Sequence, residues 1–114
     1  MTSDGSEALY HAVADQLLVL ERLMREAELW QAAPPDAAAL ASPLPFCVDT
    51  LRFEQWLQFL FVPRMRLLVA ERRSLPTAIA LKPMAEEAFR NHPQCQLLIA
   101  HLGRLDLCLS QGGR

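Results

Sequence analysis

Apolar residues recur at three- and four-residue steps along most of this chain, and prolines cut the pattern into helix-sized pieces. Leu9, Val13, Leu17, Leu20, Met24 and Ala27 form one stripe, which predicts a first helix over Gly5–Gln31. Phe53, Trp56, Leu57, Leu60, Phe61, Leu67 and Leu68 predict a second over Leu51–Arg73. Lys82-Pro83 opens a short third, Pro83–Asn91, because proline suits a first helical turn where no donor is needed. Leu98, Leu102, Leu105 and Leu109 make the seam of a fourth, Pro93–Ser110. No segment alternates long enough to build a sheet, and no repeat of 20–50 residues is present. The expected fold is all-α, a compact bundle of three long helices and one short one in a single domain spanning 1–114.

Local signals refine that outline. Asp4 and Glu7 have the spacing of a capping box, while Glu21 with Arg25 and Arg22 with Glu26 are i,i+4 pairs. Trp30 is placed to cover one end of the bundle. Residues 33–45 hold four prolines and form a long connector, with Leu40, Leu44 and Phe46 as its expected anchors. Asp49 and Thr50 are expected N-caps of the second helix, and Pro63 should kink it. Arg64, Arg66, Arg72 and Arg73 gather toward its end, where the helix dipole favours cations. Gly103 suggests a close approach to the last helix, which Gly112 and Gly113 should stop.

Composition removes several function classes. The longest stretch without Asp, Glu, Lys or Arg, Asn91–Gly103, has 13 residues, too few to span a bilayer. The opening MTSDGSEALY lacks the basic start and apolar run of a secretion signal, so the expected compartment is the cytoplasm. Cys47, Cys95 and Cys108 contain no CxxC pair, and only His92 and Cys95 have a ligand-like spacing, so no metal or cofactor is expected and the thiols read as buried or half-buried. His101 lies between Leu97 and Leu105 on one helix face, where a hydrogen-bonded core residue is the simpler reading than a catalytic base. The four glycines form no phosphate loop, and no catalytic constellation emerges.

Charge is uneven. Residues 1–63 carry three arginines against nine acids, a balance of −6, whereas residues 64–114 carry seven arginines and Lys82 against four acids, a balance of +4. Arg66, Arg72, Arg73 and Arg90, with Arg64, could therefore meet an RNA or an acidic partner. Against RNA stands a sequence pI of about 5.9, far below the value above about 9 usual for dedicated nucleic-acid domains.

The densest segment is PFCVDT at 45–50 followed by FEQWLQFLFVPRM at 53–65. Its aromatic residues fan across roughly 200° of a helix, wider than one core seam requires, so part of the arc should meet a partner or a second copy of the chain. Trp56, Gln58 and Arg64 are the candidate contacts. A small-molecule pocket near Trp56 and Cys47 ranks last, because little polarity converges there.

At Pro45-Phe46, Asp49-Thr50, Trp56-Leu57-Gln58, Pro63-Arg64-Met65, Leu75-Pro76 and His92-Pro93 the chain resembles the YqcC-like family of small helical bacterial proteins of unassigned function. The resemblance covers almost the whole chain and is weakest in the connector and at the termini. It implies an all-α bundle. Members are often encoded beside a tRNA pseudouridine synthase, which implies an accessory role in RNA modification, and the family brings no catalytic residues with it. The reading is a non-enzymatic interaction module serving such a synthase or another protein, with direct RNA binding second.

Overall fold

Each expected stripe finds a neighbour. The computed structural model describes residues 3–112, with side chains from 7 to 111. Helix α1 (Ser3–Glu26) leads into a connector holding the one-turn α2 (Ala37–Leu40) and a 3-10 turn (Pro45–Cys47). Then α3 (Phe53–Trp56) passes through a π turn (Leu57–Phe61) into α4 (Val62–Ala70) as one continuous rod. The short α5 (Leu81–Ala88) and, after a 3-10 turn at Pro93–Cys95, α6 (Gln96–Gly112) complete the all-α bundle. Helix α6 packs against α1 and α5, while α4 packs on α1 and α3 on α5. Among the described residues there is no strand, and no helix is long and apolar enough to cross a membrane.

Val13, Leu17, Leu20 and Met24 of α1 meet Leu98, Leu102, Leu105 and Leu109 of α6 in one buried core with Leu57, Met65 and Leu81. His101 is buried among them, and its Nε2–H donates to the Gln16 carbonyl at 2.8 Å. A carbonyl partner fixes that tautomer, so the imidazole is a satisfied core group. Cys47 and Cys95 are buried and Cys108 is half-buried, all three as free thiols. Burial pushes the Cys95 thiol above its ordinary range, with the Glu54 charge adding to the effect.

Helix ends depart from the sequence expectations for a shared reason. Helix α1 stops at Glu26 rather than Gln31, and the rod stops at Ala70 rather than Arg73. Both finish in a Schellman motif built on a non-glycine residue in the left-handed region, Glu28 at φ 63° and Arg72 at φ 55°. Leu29 N–H donates to the Met24 carbonyl and Glu28 N–H to that of Arg25, at 2.8 and 3.1 Å; Arg73 and Arg72 do the same to Leu68 and Val69, at 2.9 and 3.2 Å. Trp30 thus follows α1 rather than ending it, half-buried against the core with the Arg25 guanidinium 5.0 Å from its ring centroid.

Helix α5 starts two residues before Pro83. Its first two N–H groups, from Leu81 and Lys82, donate to the two Asp106 oxygens at 2.8 Å each, and the third residue is the proline, which has none. Glu86 and Glu87 consequently sit in its second turn. A Cβ on Gly103 would meet the Lys82 Cδ at 2.9 Å, so the close approach expected there is to a lysine stem.

Asp49 and Thr50 do not cap the rod. Asp49 accepts from the Ser42 hydroxyl and Thr50 Oγ1 donates to the Ala39 carbonyl at 2.7 Å, so both clasp the connector. The rod's first turn is closed instead by Gln55 Oε1, which accepts from Arg52 N–H at 2.8 Å. Of the expected connector anchors, Leu40 is half-buried, Leu44 is exposed and Phe46 lies against Trp56. Leu67, assigned to the core stripe, is 48% exposed. The Asp4 side chain of the expected capping box and the Gly113 stop lie outside the described residues, while Glu7 pairs elsewhere.

Candidate functional site

Pro63 shapes the site. In an α-helix its ring would crowd the Phe59 carbonyl and leave it without a donor. The preceding turn widens to π geometry, with Val62 N–H reaching the Leu57 carbonyl five residues back. The register changes as a result. Seven residues make about two α-turns, so a plain helix would stack Arg64 over fully buried Leu57. The residue taken in by the π turn puts Met65 inside at 1% exposure and turns Arg64 outward.

Arg64 and Trp56 then share an apolar groove of about 440 Å³ with Leu60, Phe61, Met65 and Leu68 of the rod on one side and Ser74, Leu75, Pro76 and Ile79 on the other. Trp56 is held by rings around it: Phe46 edge-on at 4.8 Å, Phe61 tilted at 5.4 Å and Phe53 stacked at 6.0 Å. Phe46 reaches it from a backbone bent into the left-handed region at Phe46 and Cys47, φ 58° and 49°. Such conformations cost about 1–3 kcal/mol each and persist where the surroundings hold them.

The 74–79 wall is tethered at both ends. Before it, the Tyr10 hydroxyl donates to the Arg73 carbonyl at 2.8 Å, and Arg72 grips Glu7 through two hydrogen bonds of 2.6 and 2.9 Å while lying over the Tyr10 ring. After it, Asp106 holds Leu81 and Lys82. From the sequence, Leu75-Pro76 marks only a helix end; the signal for a second wall is the pair of apolar residues Leu75 and Ile79 in a segment broken by Pro76 and too short for a helix.

Of the three candidate contacts, the structure brings Trp56 and Arg64 together and turns Gln58 away. Gln58 is 7% exposed; its Oε1 accepts from Gln31 N–H and its Nε2 donates to the Gln31 carbonyl, both at 2.8 Å. It ties the segment after α1 to the rod. Cys47 is not a lining residue of the groove, and its thiol faces the Leu40 carbonyl at 3.8 Å.

The four candidate RNA contacts are all engaged with carboxylates. Arg66 pairs with Glu21 at 2.9 Å, Arg72 with Glu7, Arg73 with Glu71 at 3.3 Å and Arg90 with Glu87. The Arg72 hydrogen bond holds the Glu7 carboxyl below its usual range, as Arg25 and then Arg66 do for Glu21. Arg64 has no ion-pair partner among the described residues. Arg66 and Arg72 thus pair across the two halves of the sequence, whereas Arg73 and Arg90 pair with acids of their own half.

A family profile described as tRNA pseudouridine synthase C, DUF446, matches residues 12–108. The chain belongs to this YqcC-like family. YqcC of Escherichia coli is 39% identical over 92 residues, 80% of this chain and 84% of that one. Its solution NMR structure matches with a TM-score of 0.82 at 35% identity, over 91% of this chain and 90% of that chain. An uncharacterized protein from Haemophilus influenzae is 40% identical over 87 residues, 76% of this chain and 82% of its own. A tRNA pseudouridine synthase C from Pectobacterium carotovorum subsp. carotovorum is 42% identical over 64 residues, 56% of this chain but 17% of that protein.

Proposed function

We propose that this chain is a non-enzymatic interaction module that docks on a tRNA pseudouridine synthase through the groove between Trp56 and Arg64. The observation that carries the reading is that groove: a caged indole, an apolar floor and one outward guanidinium, the anchor types enriched where proteins meet. The choice of partner is supported by the Pectobacterium synthase, in which a segment like this chain occupies a small part of the polypeptide. Joining two modules in one chain raises their effective concentration to about the millimolar range, which benefits parts that bind each other. Such a role belongs in the cytoplasm. Direct RNA binding through Arg66, Arg72, Arg73 and Arg90 is the weaker reading, because a phosphate would have to displace a carboxylate at each of them.

Calorimetric titration of the purified chain into the tRNA pseudouridine synthase C of the same genome, with and without tRNA, tests the proposal. Saturable binding that needs no tRNA and is weakened by Trp56→Ala is expected. No heat with the synthase, or binding only when tRNA is present, would overturn it.

A further inference from the structure

We infer that the Trp56–Arg64 groove receives an extended peptide that presents apolar side chains on either side of one carboxylate. The inference deepens the docking role above, on which it rests, by naming what the partner must offer. Three observations on different parts of the groove converge.

The floor is apolar, built from Leu60, Phe61, Met65 and Leu68, and its volume of about 440 Å³ suits side chains rather than solvent alone. Arg64 is the one charged lining residue and has no ion-pair partner among the described residues, while Arg66, Arg72, Arg73 and Arg90 are all paired. A guanidinium beside an apolar floor selects a carboxylate, which it can grip through two parallel hydrogen bonds. The opposite wall adds the third constraint. Among the described residues, no hydrogen bond reaches the main chain from Ser74 to Ile79. Ser74, Leu75, Pro76 and Ile79 of that stretch line the groove, and apart from the Pro76 nitrogen its main chain keeps hydrogen-bonding capacity that a ligand could use. A helix satisfies its own backbone and would leave that wall unpaired, and a lipid tail offers it nothing; an extended peptide brings matching donors and acceptors. The tethers at Arg73 and Leu81 hold the wall in place before any peptide arrives.

Selection of displayed random octapeptides on the whole chain, in wild-type and Arg64→Glu forms, tests this directly. Arg64 faces outward, so the variant should keep the wild-type melting temperature. Wild type should enrich Asp or Glu flanked by Leu, Ile or Phe. A synthetic winner should lose at least about tenfold in affinity on R64E and recover when its acid is replaced by lysine. No enrichment, enrichment without an acidic position, or equal affinity for both forms would overturn the inference. So would concentration-dependent dimerisation of the free chain that R64E abolishes, because a second copy would then fill the groove. Synthase binding that R64E leaves intact would reject the peptide chemistry alone; acid-selective peptides without synthase binding would reject only the synthase.

Discussion

Replacing Gln58 by leucine separates a structural amide from a contact residue. The substitution nearly keeps side-chain volume but removes both 2.8 Å hydrogen bonds to Gln31. Each such bond contributes about 1 kcal/mol net, and a stranded buried group costs about 1–3 kcal/mol. Gln31 is half-buried, so water can reach part of its freed main chain and the penalty stays near the lower bound. The expected loss is about 2 kcal/mol, which for a domain of this size lowers the melting temperature by roughly 8 °C. Urea unfolding followed by circular dichroism gives the free energy directly, with an unchanged slope showing that the denatured state is not altered. A loss below about 0.5 kcal/mol together with weakened synthase binding would refute the reasoning and make Gln58 a contact.

Three further outcomes follow from the same geometry. Glu7 and Glu21 have lowered folded-state pKa values, so their contribution to stability is present above about pH 4.5 and is lost as pH falls through the lower folded values. Thermal melts from about pH 5 to about pH 3 should show a decline that E7Q and E21Q flatten. Gly103→Ala should be neutral or stabilising by up to about 1 kcal/mol in a melt, because the obstructing atom is the movable stem of exposed Lys82 while the helix gains propensity. Asp106→Ala should cost about 1–2 kcal/mol in urea unfolding by uncapping α5, and Asp106→Asn, which can still accept one of the two bonds, should cost less.

The bundle was legible because helix seams are written in apolar spacing: the four leucines assigned to the seam of the last helix, Leu98, Leu102, Leu105 and Leu109, are buried, as are Val13, Leu17, Leu20 and Met24. What escaped was decided by contacts between residues far apart in sequence. Glu28 and Arg72 end helices in a conformation usually left to glycine, and Asp106 caps a helix whose start lies 25 residues earlier. Pro63 announced an irregularity, but whether a proline yields a kink or a π turn depends on the packing that rewards Met65 over Arg64 at the core face. At the site, Trp56 and Arg64 were visible as outliers in an aromatic stretch. The amide of Gln58 was not, because an inward glutamine and an outward one have the same neighbours in sequence.

The most direct measurement is to titrate methyl- and amide-labelled chain with full-length tRNA pseudouridine synthase C and record which NMR signals move. The account predicts changes at the Trp56 indole N–H and at the Leu60, Leu75 and Ile79 methyls, with Leu18 and Leu107 on other faces unmoved. Changes confined to those other faces or to the surroundings of Arg66, Arg72, Arg73 and Arg90, with the Trp56 signal fixed at saturation, would contradict it.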